Sequence, residues 1–378
     1  MASIRKLTSE TTGAISYKVM YRTPEGAQRA KTFRLQRDAK AFAATVETVK
    51  ASGDFVDPQR SSITMGDYAV KWLEGKTNLA ESTRSRYLGI IDAHIKPRWG
   101  GVPLAKVQHE DIQEWLAKID RAPATVRKIH RVLSEVLGYA VRTGRLSKNP
   151  ADNCSLPRVS EKEMMFLTHA QVEALAEACG PEWSLLVRFL AYTGLRWGEL
   201  AALKVSKLDL LHRRAIIAQS VTPVDGRMVF GDCKGHSRRD IPVPKFLVAD
   251  LYEQIEGKST DDFVFTGPLG AILRVSTFRS GPLAVAKAKL VKAQQEAKDA
   301  GQPFDPVAWS DIRVHDLRHT AASLAIAAGA DVKVVQQMLG HKSATMTLDR
   351  YGHLFPDRLD QVADAMDQAR TVALAACF

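Results

Sequence analysis

One tyrosine and five basic side chains in the second half of the chain have the functional groups that moving a phosphodiester requires. They are Arg196, Lys234, His315, Arg318, His341 and Tyr351. The reaction needs a nucleophile, cations that neutralise the nonbridging oxygens, and a proton for the departing oxygen. A tyrosine can supply the first, two arginines the second, and a lysine crowded by other cations the third. The set predicts phosphodiester chemistry through a covalent tyrosine, without a metal or other cofactor.

Spacing places two of these residues on one face of a predicted helix over 316–328. His315 and Arg318 are three residues apart, so both can address the same phosphate. His315 and His319 are four apart, which is also a spacing found in zinc sites. We reject zinc because the metalloprotease pattern needs a glutamate directly after the first histidine, whereas Asp316 stands there.

Arg196 and Lys234 fall where predicted elements end. Arg196 follows an apolar helix predicted over 183–192. Alternating residues then predict strands over 215–221, 227–230 and 239–243, with a turn at Asp225-Gly226. Lys234 is therefore expected at the tip of a hairpin, where the neighbouring Arg238 or Arg239 could take its role.

Each candidate residue also has an ordinary interpretation when it is taken alone. Arg196 could be a solvated cation at a helix start, His315 a core histidine, and Tyr351 a packed aromatic with a satisfied hydroxyl. Their occurrence together, in this order and in these contexts, favours a single site.

Three stretches around these residues resemble the tyrosine recombinase (phage integrase) family. They are Thr193-Gly194-Leu195-Arg196-Trp197-Gly198-Glu199-Leu200, His315-Asp316-Leu317-Arg318-His319-Thr320, and Leu339-Gly340-His341 with Thr347-Leu348-Asp349-Arg350-Tyr351. The offset from Lys234 to Ile241-Pro242 also matches the family's catalytic-lysine hairpin. Asp232-Cys233 departs from the threonine and lysine often found before that lysine.

The resemblance implies a mechanism for strand cleavage. Tyr351 would attack the scissile phosphate and become linked to the 3′ end, leaving a free 5′ hydroxyl. Arg196 and Arg318 would hold the nonbridging oxygens, and Lys234 would protonate the 5′ oxygen. Religation would then need neither ATP nor a metal, because the phosphotyrosine retains the energy of the broken bond.

The resemblance assigns supporting roles as well. His315 would assist proton transfer at the tyrosine, His341 would support the phosphate, and Glu199 would orient a neighbouring cation. Strand exchanges would pass in pairs through a four-way junction held by four protomers.

The function so implied is site-specific recombination that integrates or excises phage or mobile-element DNA. The implied partners are double-stranded DNA with core and arm attachment sites, the other copies of a homo-tetramer, a host DNA-bending factor and an excisionase. Two alternatives stay open at this point. One is a DNA-binding regulator with an idle pocket, and the other is a type IB topoisomerase, which relaxes supercoils without pairing sites.

Charge and composition agree with a DNA enzyme inside the cell. The 378 residues carry a formal net charge of +11, with a pI of about 9.4, and basic residues recur along the whole chain. No apolar run reaches transmembrane length, and the N-terminus lacks a secretory core. Four cysteines, Cys154, Cys179, Cys233 and Cys377, show no paired short spacing and are expected to be reduced. We expect the protein in the cytoplasm of a bacterial host, on DNA and away from membranes.

The predicted fold class is α+β, in three segments. Residues 1–60 predict strands over 14–21 and 28–35 and a helix over 37–51. Residues 62–156 are helical throughout, and 164–378 combine helices with a small antiparallel sheet. The resemblance implies an arm-type DNA-binding domain, a helical core-binding (SAM-like) domain and a catalytic domain, in that order. The first could instead be a small structural or dimerisation domain.

Two groups of basic residues are predicted to contact DNA. The first lies on or beside the N-terminal strands: Lys18, Arg22, Arg29, Lys31 and Arg34. The second forms a basic face around a helix predicted over 124–141: Arg127, Lys128, Arg131 and Arg142. A merely solvated face is the alternative for the second group.

Further helices of the last segment are predicted over 168–178, 283–300, 332–339 and 359–376. Thr168 and Gln171 form a capping box at the start of the first of these. The last helix is amphipathic, with Leu359, Val362, Met366 and Val372 on one side. These residues would cover either the chain's own core or a neighbouring protomer.

Overall fold

A computed structural model describes residues 2–24, 26–53, 55–160, 163–232, 238–355 and 359–375. The chain divides into two compact units, Met1–Glu161 and Lys162–Phe378. Both units combine helices with small antiparallel sheets, which confirms the predicted α+β class. Among the described residues, no helix is both long and apolar enough to cross a bilayer.

The N-terminal part of the first unit is an antiparallel sheet covered on one face by a helix. Its elements are β1 (Ser3–Thr8), β2 (Ile15–Arg22), β3 (Gln28–Phe33) and α1 (Gln36–Ala51), with β2 in the centre of the sheet. Because side chains alternate along a strand, Tyr17, Val19 and Tyr21 share one face and pack against Ala39 and Val46 of α1.

The alternation in the sequence predicted β2, β3 and α1 to within two residues, but it did not predict β1. Every residue of β1 is exposed, so this strand has no buried positions that would give a period of two. It exists because its backbone pairs with β2, with Ile4 opposite Val19.

A buried ion pair links β3 to the segment that follows α1. Arg29 donates to the carboxylate of Asp57, with Nη2 2.7 Å from Oδ2, and the Asp57 side chain is only 4% exposed. Asp57 also accepts the backbone N–H of Gln59 at 3.0 Å. The hydrogen bond from Arg29 lowers the pKa of Asp57, although burial partly opposes this.

Asp57→Asn is expected to destabilise the first unit by about 2 kcal/mol at pH 7, because a charge-assisted hydrogen bond is lost. A carboxylate with a lowered pKa stabilises the fold above its unfolded pKa, about 3.9, and loses that contribution as the pH falls through the folded value. Thermal unfolding of the full chain at pH 7 and pH 3 measures both effects. A gap between parent and variant that stayed constant with pH would contradict this account.

The rest of the first unit is a helical bundle. Its helices are α2 (Met65–Glu74), α3 (Glu81–Ile90), α4 (Lys96–Trp99), α5 (His109–Ala117) and α6 (Pro123–Arg142). The helix predicted over 124–141 is confirmed as α6, and its apolar side chains Val126, Ile129, Leu133, Val136 and Leu137 are all buried. The hydrophobic cluster of this bundle is separate from the cluster under the N-terminal sheet.

The second unit surrounds the candidate catalytic residues. Its helices are α7 (His169–Cys179), α8 (Pro181–Thr193), α9 (Trp197–Ala201), α10 (Val248–Ile255), α11 (Val275–Ser280), α12 (Pro282–Asp299), α13 (Asp316–Ala327), α14 (Val332–Leu339), α15 (Ala344–Tyr351) and α16 (Leu359–Ala375). Its strands are β4 (Leu208–Asp209), β5 (Arg214–Ile217), β6 (Gln219–Val224), β7 (Arg227–Asp232) and β8 (Arg239–Pro242). The apolar α8 lies at the core, packed against α7 and α13.

Most elements predicted for this unit are confirmed. The capping box of Thr168 and Gln171 starts α7, and α12, α13, α14 and α16 begin and end within one residue of their predicted bounds. The prediction of one strand over 215–221 is wrong. The chain forms two strands there, and β5 pairs with β4 and β8 whereas β6 pairs with β7. The hairpin turn is confirmed, with positive φ at Asp225 (47°) and Gly226 (81°).

Candidate active site

Arg318 joins the two turns that carry other candidate residues. It lies in the first turn of α13 and is 3% exposed. Its Nη1 donates to the carbonyl oxygen of Gly194 and its Nη2 to that of Leu339, each at 2.6 Å. These carbonyls stand two residues before Arg196 and His341, so one guanidinium group fixes both turns. Burial, and secondarily the charge of Arg196, lowers the pKa of Arg318 to about 9, which leaves the group cationic at neutral pH.

A glycine in each of the two turns lets a neighbouring side chain approach the backbone closely. Gly194 ends α8 with a φ of 68°, and a Cβ there would lie 2.7 Å from Cδ2 of Leu339. Gly340 ends α14 with a φ of 63°, and a Cβ there would lie 3.0 Å from the guanidinium group of Arg239. Both positions combine a left-handed backbone with a close neighbour, so they favour glycine on two separate grounds.

A buried carboxylate holds Arg196 at the start of α9. Glu199, 1% exposed, accepts the backbone N–H and the Nη1 of Arg196, both at 2.9 Å. It also accepts Nη1 and Nη2 of Arg239 at 3.1 and 2.6 Å. Arg239 Nε donates to the carbonyl oxygen of Met338 at 3.1 Å, which ties β8 to α14. Burial alone would raise the pKa of Glu199, but the hydrogen bonds and charges of Arg239 and Arg196 outweigh it, so the pKa is lowered.

His341 follows α14 and contacts α15. Its Nδ1 lies 3.0 Å from Oγ1 of Thr347, and its ring stacks parallel to that of Tyr351 with 6.3 Å between centroids. Burial, followed by the charge of Arg318, lowers the pKa of His341 to about 4. The ring is therefore neutral at physiological pH.

Tyr351 is the last residue of α15, and only 1% of it is exposed. Its hydroxyl lies 2.8 Å from Nδ1 of His319 on α13, which is also buried. Burial raises the pKa of Tyr351, while the charges of Arg318 and Arg350 act in the opposite direction. The neutral phenol is the form that this surrounding favours.

His315 stands at the start of α13 with its ring partly in solvent. The ring meets that of His319 edge to face, with 4.9 Å between centroids. Enough protein surrounds it that desolvation lowers its pKa, and the charges of Arg318 and Arg196 add to this effect.

Five of the six predicted catalytic residues therefore lie in one cluster of positive charge. The charges of Arg318 and Arg196 lower the pKa values of His315 and His341. The charge of Arg318 also acts on the pKa of Tyr351. Lys234 lies outside the described residues. The structure adds His319 and Arg239 to the cluster. In the part of the chain that the structure describes, no group of three or more histidine, cysteine or acidic side chains could hold a metal ion.

Two family models match the chain in the regions that form these structures. The model of the phage integrase family matches residues 165–358, which is just over half of the chain, and the model of the phage integrase central domain matches 65–155.

The chain belongs to the phage integrase family.

Individual relatives agree with this membership. Over 356 residues the chain is 25% identical to the integrase of Mycobacterium phage L5, a match that covers 89% of this chain and 90% of the relative. It is 30% identical over 302 residues to the tyrosine recombinase XerC of Mycobacterium leprae, covering 75% of this chain and 92% of the relative. The fold is similar to that in a lambda integrase tetramer bound to a Holliday junction, with a TM-score of 0.56, 20% identity, and coverage of 90% of this chain and 96% of the other. The protein is accordingly an enzyme, a tyrosine site-specific recombinase.

The N-terminal basic residues of this integrase lie on different faces of their sheet. Lys18 and Arg22 alternate with Val19 and Tyr21, so they belong to the face opposite α1. Arg29 is engaged with Asp57, and Lys31 lies over the rings of Phe33 and Phe42 on the α1 side, 4.8 Å from the Phe42 centroid. Arg34 is exposed just after β3. Contact of these five residues with DNA stays a prediction.

The basic residues of α6 are all exposed: Arg127, Lys128, Arg131 and Arg142. Arg127 Nε donates to the carbonyl oxygen of Pro157 at 2.9 Å, and Arg131 lies 3.4 Å from the carboxylate of Glu135. Arg142 lies over the ring of Tyr139. Contact of these residues with DNA stays a prediction.

Glu199→Gln should weaken both the fold and the reaction of this integrase. A neutral amide leaves two largely buried arginines without their shared counter-charge, so we expect a loss of about 3 kcal/mol in unfolding free energy. Displacement of Arg196 should slow covalent capture of DNA by about 100-fold. Thermal unfolding and single-turnover cleavage measure the two effects. Glu173→Gln is the matched control, because Glu173 pairs with Arg188 at a 41% exposed position and should change little.

Proposed function

We propose that this chain cuts and rejoins DNA at specific sites through a covalent bond to Tyr351. The observation that carries the proposal is the convergence of Arg196, Arg318, His341 and Tyr351 in one cluster. Glu199 offsets only part of the positive charge of the neighbouring arginines, so an anionic phosphodiester would complete the cluster.

The cleavage step would break one bond to phosphorus as another forms. The oxygen of Tyr351 bonds to phosphorus, and the bond from phosphorus to the 5′ oxygen breaks. A guanidinium group has five N–H donors, so Arg318 keeps donors for a nonbridging oxygen after serving two carbonyls. Arg196 binds the same phosphate, His341 and His315 support it, and Lys234 is the proposed acid for the 5′ oxygen.

Recombination is favoured over the two alternatives. A regulator with an idle pocket has no use for a buried tyrosine hydroxyl in the field of Arg318, the arginine that joins the turns carrying Arg196 and His341, and this arrangement supports an active site. Membership of the integrase family, with a tyrosine recombinase among its relatives, argues for site-specific recombination and against a type IB topoisomerase.

The proposed working form is a homo-tetramer on DNA. Residues 363–375 of α16 are exposed, and they include Met366 and Val372, 68% and 63% exposed. Exposed apolar side chains of this kind fit a helix that packs on a neighbouring protomer rather than on its own core. The similar lambda integrase was crystallised as a tetramer bound to a Holliday junction.

We further propose the division into an arm-binding domain (1–60), a core-binding domain (62–156) and a catalytic domain (164–378). The domains would act on the arm and core sites of phage or mobile-element DNA in a bacterial cytoplasm. A host DNA-bending factor and an excisionase would assist them.

Trapping on a nicked suicide duplex from a candidate attachment site tests the proposal. Loss of a short 5′ fragment prevents religation, so the covalent adduct accumulates, and chelator is present throughout. We expect an adduct whose peptide map assigns the linkage to Tyr351 and to a DNA 3′ end. Specific binding to a proven site without an adduct would favour the regulator, and relaxation of plasmid lacking any site would favour the topoisomerase.

A further inference from the structure

The hydroxyl of Tyr351 has a partner that the sequence motif does not assign to it. Within the described residues, its hydrogen bond is to Nδ1 of His319, at 2.8 Å. His319 is 5% exposed and Tyr351 is 1% exposed, so water competes little for either group. The ring of His315 contacts the ring of His319 edge to face.

We infer that His319, rather than His315, accepts the phenolic proton of Tyr351 during cleavage and returns it during religation. This rests on the proposed role of Tyr351 as the nucleophile. In cleavage, the O–H bond breaks, the proton moves to Nδ1 of His319, and the freed oxygen bonds to phosphorus. The 5′ oxygen leaves with a proton from the general acid, so the charges balance. In religation, the imidazolium protonates the departing phenolate.

The local charges suit this cycle. His319 must begin neutral, with its proton on Nε2, if Nδ1 is to accept. Burial, and then the charge of His315, lowers the pKa of His319 to about 4, so the neutral form prevails at physiological pH. The charged and titratable groups that face the ring come from α13 and α15: His315, Asp316, Arg318, Arg350 and Tyr351.

Substrate binding would make His319 a stronger base. Burial first, and then the charges of His315, Arg350 and Arg318, lower the pKa of His319 and make an imidazolium unfavourable in the DNA-free protein. A phosphodiester held by the arginines brings a negative charge next to the same ring and raises that pKa. Proton transfer is therefore favoured only when the scissile phosphate is in place, which also protects the nucleophile from premature ionisation.

Single-turnover adduct formation on the suicide duplex tests the inference. His319→Phe keeps a ring of similar size and removes the acceptor, and we expect a rate about 100-fold lower than that of the parent. His319→Asn keeps a hydrogen-bond acceptor near the position of Nδ1 but has no base, so its rate should fall about as far as that of His319→Phe. His353→Phe is the matched control, since His353 is exposed beside Phe166, and its rate should equal the parent rate.

A second measurement separates proton transfer from packing. Difluorotyrosine at position 351 has a more acidic hydroxyl and needs less help from a base, so the penalty of His319→Phe should shrink from about 100-fold to below tenfold. A residue that only fills space would impose the same penalty on both nucleophiles, and that result would overturn the inference. The comparison is made within the His319→Asn background as well, so it does not depend on one variant folding.

The outcomes distinguish this inference from the proposed function. Tyr351→Phe is included in every series. If that variant still forms an adduct, the proposed nucleophile is wrong. If Tyr351→Phe is inactive but His319→Phe reacts within threefold of the parent, only the role of His319 is wrong. Gel-shift binding and the melting temperature of each variant confirm that the rates are compared between folded proteins that bind DNA.

Discussion

Tyr351→Phe is expected to abolish covalent capture of DNA while leaving site binding unchanged. The phenyl ring can keep its contacts with Phe166 and His341, whose rings lie 6.5 and 6.3 Å away between centroids. The oxygen that would bond to phosphorus is absent, however, and no rate above background should remain. The nicked duplex, resolved on a denaturing gel, measures capture, and a gel shift measures binding.

The same substitution should have a cost in stability, because it leaves the buried Nδ1 of His319 without its 2.8 Å partner. An unsatisfied buried acceptor costs about 1–3 kcal/mol. Tyr192→Phe is a close control: the Tyr192 hydroxyl also lies 2.8 Å from a histidine Nδ1, that of His169, but at the α7–α8 contact. That variant should capture DNA at the parent rate. An adduct formed by Tyr351→Phe would show that Tyr351 is not the nucleophile.

The sequence predicted those parts of the site that depend on local pattern. Arg318 and His315 could be placed on one helical turn because three residues nearly complete a turn, and α13 has that form. The helices predicted over 183–192 and 332–339 end within one residue of the observed ends, and each is followed by a glycine with the left-handed backbone that glycine favours. These patterns do not predict which side chains approach the two glycines. Leu339 lies against Gly194 and Arg239 against Gly340, and both come from distant parts of the chain.

Long-range partners account for what the sequence did not predict. Arg239 is 40 residues from Glu199 and 99 from Met338, and no spacing rule joins them. The sequence places His319 in the motif with His315 and Arg318 and four residues after His315, but neither pattern predicts its partner. Its partner Tyr351 lies 32 residues away. Pairing across such separations is decided by packing of α13 against its neighbours, which a single sequence does not reveal.

The break between β5 and β6 has a similar origin. The alternation over 215–221 continues through Ala218, so a period of two cannot detect that the strands join different sheets. Strand partners decide where each strand ends, and two of them, β8 for β5 and β7 for β6, come later in the chain. The division into two strands matters for the site because β8, which pairs with β5, carries Arg239 to Glu199.

Arg318→Lys should reduce covalent capture by about 1000-fold or more, even though the positive charge is retained. A guanidinium group serves the carbonyl oxygens of Gly194 and Leu339 through two different nitrogens and still presents N–H groups to a phosphate. An ammonium group is a single point of charge and cannot span both carbonyls in that geometry. Single-turnover trapping measures the rate, and thermal unfolding should show a loss of about 2 kcal/mol from the unsatisfied carbonyls.

The expected loss comes as much from the displacement of other residues as from the change at Arg318 itself. The two turns that Arg318 joins carry Arg196 and His341. If they separate, three phosphate-binding groups are displaced together. Arg188→Lys is the matched control, since Arg188 is a partly buried arginine of the same unit, held by Glu173 at 2.6 Å, and should react at the parent rate. A lysine variant at position 318 that stayed within tenfold of the parent would mean that charge alone suffices and that the two carbonyl contacts do not organise the site.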